Sequence, residues 1–194
     1  MFKGLITILS IYIALFAYNA SAQSFTERNR FKVSDSGVQL RSHRKLGLGI
    51  QVAGISGLAG ANLELNFTPL TSFVGGFGLG EGFQSFSLGL KRVLAGDQFL
   101  PYIAGGYSKW YSTQTDSSLY ESTPSLLVER FLSSKEKQSG QFAENLLYGT
   151  LGIQFLRLGG SWTGFSLSAE VIALIDVDDL VIASTGGISM GYYF

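Results

Sequence analysis

Three charged residues stand inside long segments that otherwise hold few charges, and they are the strongest candidates for interior chemistry. Glu64, Lys91 and Glu170 each lie where large apolar residues alternate with small or polar ones, and each falls on the polar side of that alternation. Two carboxylates and an amine on one buried face could form ion pairs or a proton path. We expect ion pairing, with Lys91 bound to at least one carboxylate, because an isolated buried charge destabilises a fold.

Other catalytic or metal-binding groups are sparse. Histidine occurs once, at His43, and cysteine is absent, so a nucleophile with a neighbouring base is hard to assemble. Asp176, Asp178 and Asp179 lack the glycine and distal glutamate of a calcium loop. The glycine-rich run 75–82 precedes a strand and lacks the spacing of a phosphate loop. We therefore expect no enzyme activity, no catalytic residue, no cofactor and no metal site.

The elements that position these residues are predicted to be strands. Eight segments alternate at a period of two residues, each near the roughly 9–11 residues that cross a bilayer when tilted. They are 45–53, 58–67, 72–80, 83–93, 99–111, 145–157, 162–175 and 188–194. The facing of the fifth segment stays open, because aromatic residues occur on both of its parities. A belt of Phe83, Trp110 and Tyr148 is possible at the outer interface.

The last segment carries the most specific motif. Ile188, Met190, Tyr192 and Phe194 share one face and end on a terminal aromatic residue. This pattern resembles the carboxy-terminal signature of bacterial outer-membrane β-barrels, which the barrel-assembly machinery reads. The chain thus resembles the small eight-stranded OmpA-like, OmpX-like and OmpW-like barrels. The resemblance implies an all-β, eight-stranded, antiparallel up-and-down transmembrane barrel with both termini in the periplasm. A soluble β-sandwich or lipocalin-like barrel shares the same period, and Phe194 favours the membrane barrel.

The amino-terminal sequence indicates export. Lys3 precedes an apolar run at 5–16, and Ala20 and Ala22 form a small-x-small cleavage site. We expect a signal peptide over 1–22, cleaved on export to the outer membrane, because the run is shorter than a spanning helix. The balanced charge gives no support for nucleic acid as a partner.

The remaining chain divides into two predicted parts. Residues 23–42 are polar and basic, and we expect a periplasmic segment in which 31–40 could form a hairpin. Residues 43–194 form the barrel, and the long connection 112–144 is expected outside the cell. Within that connection, Thr123 and Pro124 could begin a short helix.

Three functions remain open from the sequence. The first is a structural or surface-interaction barrel presenting the long loop, with outer-membrane lipid and lipopolysaccharide, the assembly machinery and a surface partner as contacts. The second is a narrow OmpW-like conduit for small hydrophobic molecules. Its apolar lining would be Leu146, Tyr148, Ile172 and Leu174. The least favoured is a lipid-modifying enzyme, which would depend on His43.

Overall fold

The computed structural model describes residues 36–113 and 130–194. The signal peptide predicted over 1–22, with Ala20 and Ala22, and the helix predicted at Thr123 lie outside these residues. Within the described ranges the elements are α1 (Gly37–His43), β1 (Leu46–Ala53), a 3₁₀ turn (Gly54–Ser56), β2 (Ala59–Asn66), β3 (Thr71–Gly80), β4 (Phe83–Val93), β5 (Phe99–Ser112), α2 (Ser134–Ser139), β6 (Ala143–Leu156), β7 (Phe165–Asp176) and β8 (Ile182–Tyr193).

The eight strands close into one barrel. Each strand pairs antiparallel with its neighbours in sequence, and β8 returns to β1 through pairs such as Gly47 with Tyr193 and Val52 with Ile188. The predicted closed, antiparallel, up-and-down barrel of eight strands is confirmed. A barrel of this strand number has an interior that side chains can fill.

Strand bounds differ from the sequence prediction mainly at two places. β8 begins at Ile182 rather than at residue 188, because its alternation continues through Ser184 and Gly186 on the outward face. β6 begins at Ala143, so Glu144 is a strand residue rather than part of the long connection.

The facing of β5 is settled by burial. Tyr102 and Trp110 are 4% and 2% exposed and point inward, whereas Ile103 is 42% exposed and points outward. Phe83, at 7% exposed, also lies inside. The predicted outer belt of Phe83, Trp110 and Tyr148 is therefore wrong, because all three rings face the interior instead.

The two ends of the barrel are distinct, and we name them by what lies there. The loop end carries the 3₁₀ turn, two short turns and the long connection between β5 and β6. The helix end carries the other three turns and α1. An apolar cluster fills each end, and polar and charged side chains occupy the layer between them.

The predicted boundary between residues 42 and 43 does not match the structure. Residues 37–43 form α1, which packs against the barrel at its helix end and contributes buried Leu40 and Arg41. The predicted hairpin over 31–40 is also wrong for the part that the structure describes. The physical reason is that Leu40 and Arg41 find apolar and acidic partners only in the folded barrel.

Candidate functional site

Glu64 is the centre of the charged layer inside the barrel. Its Oε1 accepts hydrogen bonds from Arg41 Nη1 at 2.6 Å and from Ser72 Oγ at 2.8 Å. Its Oε2 accepts one from Lys91 Nζ at 3.0 Å. A single buried carboxylate is thus placed between two cations, an arrangement that offsets the loss of hydration of all three groups.

Arg41 enters this layer from α1 and is completely buried. Besides Glu64, its guanidinium donates to Tyr193 Oη at 2.9 Å, to Ser72 Oγ at 3.2 Å and to the Pro69 carbonyl at 3.0 Å. Burial is the largest single influence and acts to lower the pKa of Arg41, but Glu64 and Tyr193 together leave the pKa raised. The side chain therefore stays charged and joins α1 to β2, β3, β8 and the β2–β3 turn.

The start of α1 sets the position of Arg41. Ser36 caps the helix by accepting a hydrogen bond from the Gln39 amide at 3.2 Å. The Gly37 amide donates to the Asp97 carbonyl at 2.7 Å. A side chain at Gly37 would collide with that same carbonyl, so glycine is needed for the helix to come this close to the β4–β5 turn.

Arg44, which follows α1, holds the end of β8. Its Nη1 donates to the carbonyls of Thr163 and Tyr193 at 2.8 and 2.6 Å, and its guanidinium lies over the Tyr192 ring at 5.6 Å. The segment before β1 is thereby attached to the last strand as well as to the interior.

Lys91 joins Glu64 to the opposite side of the barrel. Its Nζ also donates to Gln154 Oε1 at 3.1 Å and lies 4.3 Å from the centre of the Tyr102 ring. The Gln154 amide in turn donates to Tyr193 Oη at 2.9 Å. Interior contacts from Arg41 to Gln154 therefore cross the bore of the barrel.

Glu170 faces the same layer but is not in contact with Glu64 or a cation. It accepts hydrogen bonds from Tyr102 Oη at 2.7 Å and from Gln51 Nε2, whose amide oxygen accepts from Ser56 Oγ. Within the described residues, no salt bridge involves Glu170. A small cavity of about 80 Å³ lies between it and the other charged groups, with Tyr148 and several serines in its walls.

The charges of this layer balance, and their contacts are structural in kind. Arg41 and Lys91 carry two positive charges against the two negative charges of Glu64 and Glu170.

His43 is exposed on α1, away from this layer. The described residues include no group of three or more acidic, histidine or cysteine side chains with the geometry to hold a metal ion.

The loop end is filled with apolar side chains. Leu146, Ile172 and Leu174, which the sequence places on the inward face, are completely buried. They pack with residues of the 3₁₀ turn, of β4, β5 and β8, and of the long connection, namely Ile55, Phe83, Trp110, Phe131, Leu132, Phe142 and Ala183. The residues predicted to line an apolar pocket do face the interior, but other side chains of this protein fill the space between them.

Aromatic contacts order this cluster. Trp110 stacks on Phe83 with ring centres 4.9 Å apart and meets Phe131 edge-on at 6.3 Å. Its indole N–H donates to the Ile55 carbonyl at 3.1 Å. The long connection is thus attached to the barrel interior at residues 131–142.

The sequence prediction included Lys91, Glu64 and Glu170 but not Arg41 or Gln154. Lys91 does contact Glu64, while Glu170 lies across the cavity. One sequence signal could have indicated the helix that carries Arg41. Ser36 stands three residues before Gln39, and this spacing of serine and glutamine is typical of a helix start.

The residues of the terminal motif lie along β8 and after it. Ile188 and Met190 are 60% and 45% exposed on the outward face, and Phe194 is 48% exposed. Tyr192 is half-buried and lies beneath Arg44. Recognition of these residues by an assembly machinery stays a prediction.

The closed barrel and its packed interior define the fold as a small eight-stranded antiparallel β-barrel. Among solved structures, the chain is similar to the N-terminal β-barrel domain of Pseudomonas aeruginosa OprF, with a TM-score of 0.51 and 12% identity over 76% of this chain and 97% of that one. At this identity the likeness concerns the fold. No family model matches the sequence, and the search of curated proteins found no significant match.

Proposed function

We propose that this chain is an outer-membrane β-barrel protein with a structural or surface-interaction role. In this proposal the barrel anchors the chain in the membrane, and the connection between β5 and β6 is presented at the cell surface. The role is non-enzymatic, since the charged groups of the interior are engaged with one another.

The observation that carries the proposal is the reversed polarity of the barrel. Among the described residues, 27 large apolar side chains are exposed, while Arg41, Glu64 and Lys91 are buried inside. A soluble monomer rarely exposes an apolar surface this extensive, because burying it is favourable in water. Hydrocarbon around the outside of the barrel accounts for both the exposed apolar side chains and the buried charged ones.

The outward charges of the strands support the same reading. Only Arg92 and Lys109 are charged and exposed within the described strands, and each lies near the end of its strand. The uncharged zone between them is what a bilayer core requires, since charged side chains on a lipid-facing surface are destabilising there.

Exposed aromatic side chains support a membrane–water interface at the helix end. Phe67, Phe99 and Trp162 are 62%, 60% and 63% exposed, and all three lie at the helix end. Exposed aromatic rings of this kind are typical of a membrane–water interface. We assign the helix end to the periplasm, where the barrel termini also lie, and the loop end to the cell surface.

Partners follow from this placement. Lipid and lipopolysaccharide would surround the strands, and the assembly machinery would read Ile188, Met190, Tyr192 and Phe194. A surface partner would contact the long connection. The export signal with cleavage after Ala22 belongs to the same proposal.

The interior favours an anchor over a conduit. The helix end is filled by α1 with Arg41, the middle by the charged layer, and the loop end by the apolar cluster. The cavity of about 80 Å³ between them holds only a few water molecules.

Two measurements test the proposal. Protease added to intact cells expressing the full chain should cut only in the connection between β5 and β6 and leave a membrane-protected remainder. The purified chain in planar bilayers should give no conductance steps, and liposomes containing it should take up no hydrophobic solute. Protein that stays soluble and monodisperse without detergent would refute membrane insertion, whereas uptake would favour the OmpW-like conduit.

A further inference from the structure

Two acidic side chains are buried together at the loop end. Glu144 and Asp176 are 6% and 0% exposed, and both point inward beside the apolar cluster. They lie on adjacent strands, since Asp176 pairs in register with Leu146, two residues after Glu144. Both carboxyl groups therefore enter the same apolar interior from neighbouring positions of β6 and β7. Two ionised carboxylates buried side by side would lose their hydration and repel each other, which favours a proton on one of them.

The surroundings of this pair provide no compensating positive charge. The other groups that act on Glu144 are also acidic, Glu136 of α2 and Asp179 of the β7–β8 turn. Asp178 donates its amide to Asp176 Oδ1 at 2.8 Å, and its own carboxylate accepts from the Asn145 amide at 3.2 Å. Asp176 Oδ2 is buried and has no hydrogen-bond donor within the described residues.

The neighbouring cations face elsewhere. Lys109 of the adjoining strand is exposed on the outward face, opposite in parity to Glu144. Arg130 and Lys135 of the long connection are exposed, and Lys137 lies in α2. No salt bridge in the part of the chain that the structure describes joins any of them to the pair.

We propose that Glu144 and Asp176 share one proton, and that this proton keeps the segment 130–142 closed over the loop end of the barrel. Loss of the proton to solvent leaves two negative charges next to Leu146 and Leu174 with no partner. Such charges gain stability only by becoming hydrated. Water reaches them when the segment lifts away and Phe131, Leu132 and Phe142 leave the cluster. The closed state is thus favoured at low pH and the open state at high pH.

Trp110 reports this change directly, because it is 2% exposed and contacts Phe131. The chain has two tryptophans, so Trp162→Phe leaves Trp110 as the single fluorophore. We would measure acrylamide quenching of this variant, as the full mature chain refolded in detergent with EDTA, from about pH 5 to about pH 9. The expected result is a rise in quenching with pH along a one-proton titration.

Variants identify the groups responsible. Glu144→Gln and Asp176→Asn each leave an uncharged partner in the pair, so each should stay closed and lose the transition. Asp178→Asn, which changes an exposed neighbour of the pair, is the matched control and should keep it. If either neutral variant fails to fold, the other variant and the titration of the parent protein still decide the matter.

Three results would overturn the proposal. The first is quenching of the parent that does not change with pH. The second is a Glu144→Gln transition equal to that of the parent. The third is a transition that moves when Mg²⁺ replaces EDTA, since a metal ion rather than a proton would then neutralise the pair. The measurement does not depend on membrane insertion, so its failure is distinguishable from failure of the proposed function.

Discussion

Replacing Glu64 by glutamine should destabilise the barrel more than any other single change in the charged layer. The glutamine amide fits the same space, but the guanidinium of Arg41 and the amine of Lys91 then remain buried without a carboxylate. Both cations now lie within 3.0 Å of Glu64, and the Glu64 side chain is only 10% exposed, so solvent cannot replace the lost charge. Breaking a buried pair in this way costs about 3–5 kcal/mol of the free energy of unfolding.

Lys91→Met provides the comparison within the same layer. It removes one cation but leaves Glu64 paired with Arg41 and bonded to Ser72, and the lost hydrogen bond to Gln154 leaves one amide oxygen unsatisfied. The expected cost is about 1–3 kcal/mol. Asp97→Asn, at an exposed carboxylate of the β4–β5 turn, is the control and should change stability by less than about 0.5 kcal/mol.

Urea unfolding of the three variants in lipid vesicles measures these differences, with tryptophan fluorescence as the signal. The expected order of destabilisation is Glu64→Gln, then Lys91→Met, then Asp97→Asn. Equal urea midpoints for Glu64→Gln and Asp97→Asn would refute the reasoning that this carboxylate neutralises the interior. A Lys91→Met variant with unchanged yield and stability would count against the Lys91–Glu64 pair.

Three further predictions concern neighbouring contacts. Gly37→Val should detach α1, because its side chain meets the Asp97 carbonyl, and limited proteolysis should then cut residues 36–44, which stay intact in the parent. Arg41→Met should lower the urea midpoint, and adding Lys91→Met should cost more than the two separate losses combined, because only the double variant leaves the buried Glu64 carboxylate without a cation. Trp110→Ala should cost about 3–5 kcal/mol in the same unfolding assay, because it empties the centre of the loop-end cluster.

Most of the barrel followed from the sequence because strand periodicity is a local property. Alternation at period two identifies a strand and its two faces without knowledge of its neighbours. Glu64 and Lys91 could therefore be assigned to the interior before their contact was known. β4 matched residue for residue at 83–93, since both of its ends adjoin turns.

The prediction failed where the local alternation was compatible with two facings of a strand, as in β5. Tyr102 and Trp110 lie on one face of β5, whereas Ile103 and Tyr107 lie on the other. Both faces thus carry side chains large enough to contact lipid. Burial of Trp110 depends on Ile55 and Phe131, which come from distant parts of the chain. No window of sequence around β5 contains that information.

Charge balance explains two parts of the interior that the sequence prediction left incomplete, the charged layer in the middle of the barrel and the acidic pair at the loop end. The mid-barrel face of the strands supplies Glu64, Glu170 and Lys91, a net charge of −1, so a further cation had to come from outside the strands. α1 supplies it as Arg41, which explains why a short polar segment packs into the barrel. At the loop end the same accounting gives two buried carboxyls and no cation, which is why a proton is inferred there. A buried charge is stable only where a partner or a proton compensates it, and that requirement locates groups that periodicity alone does not.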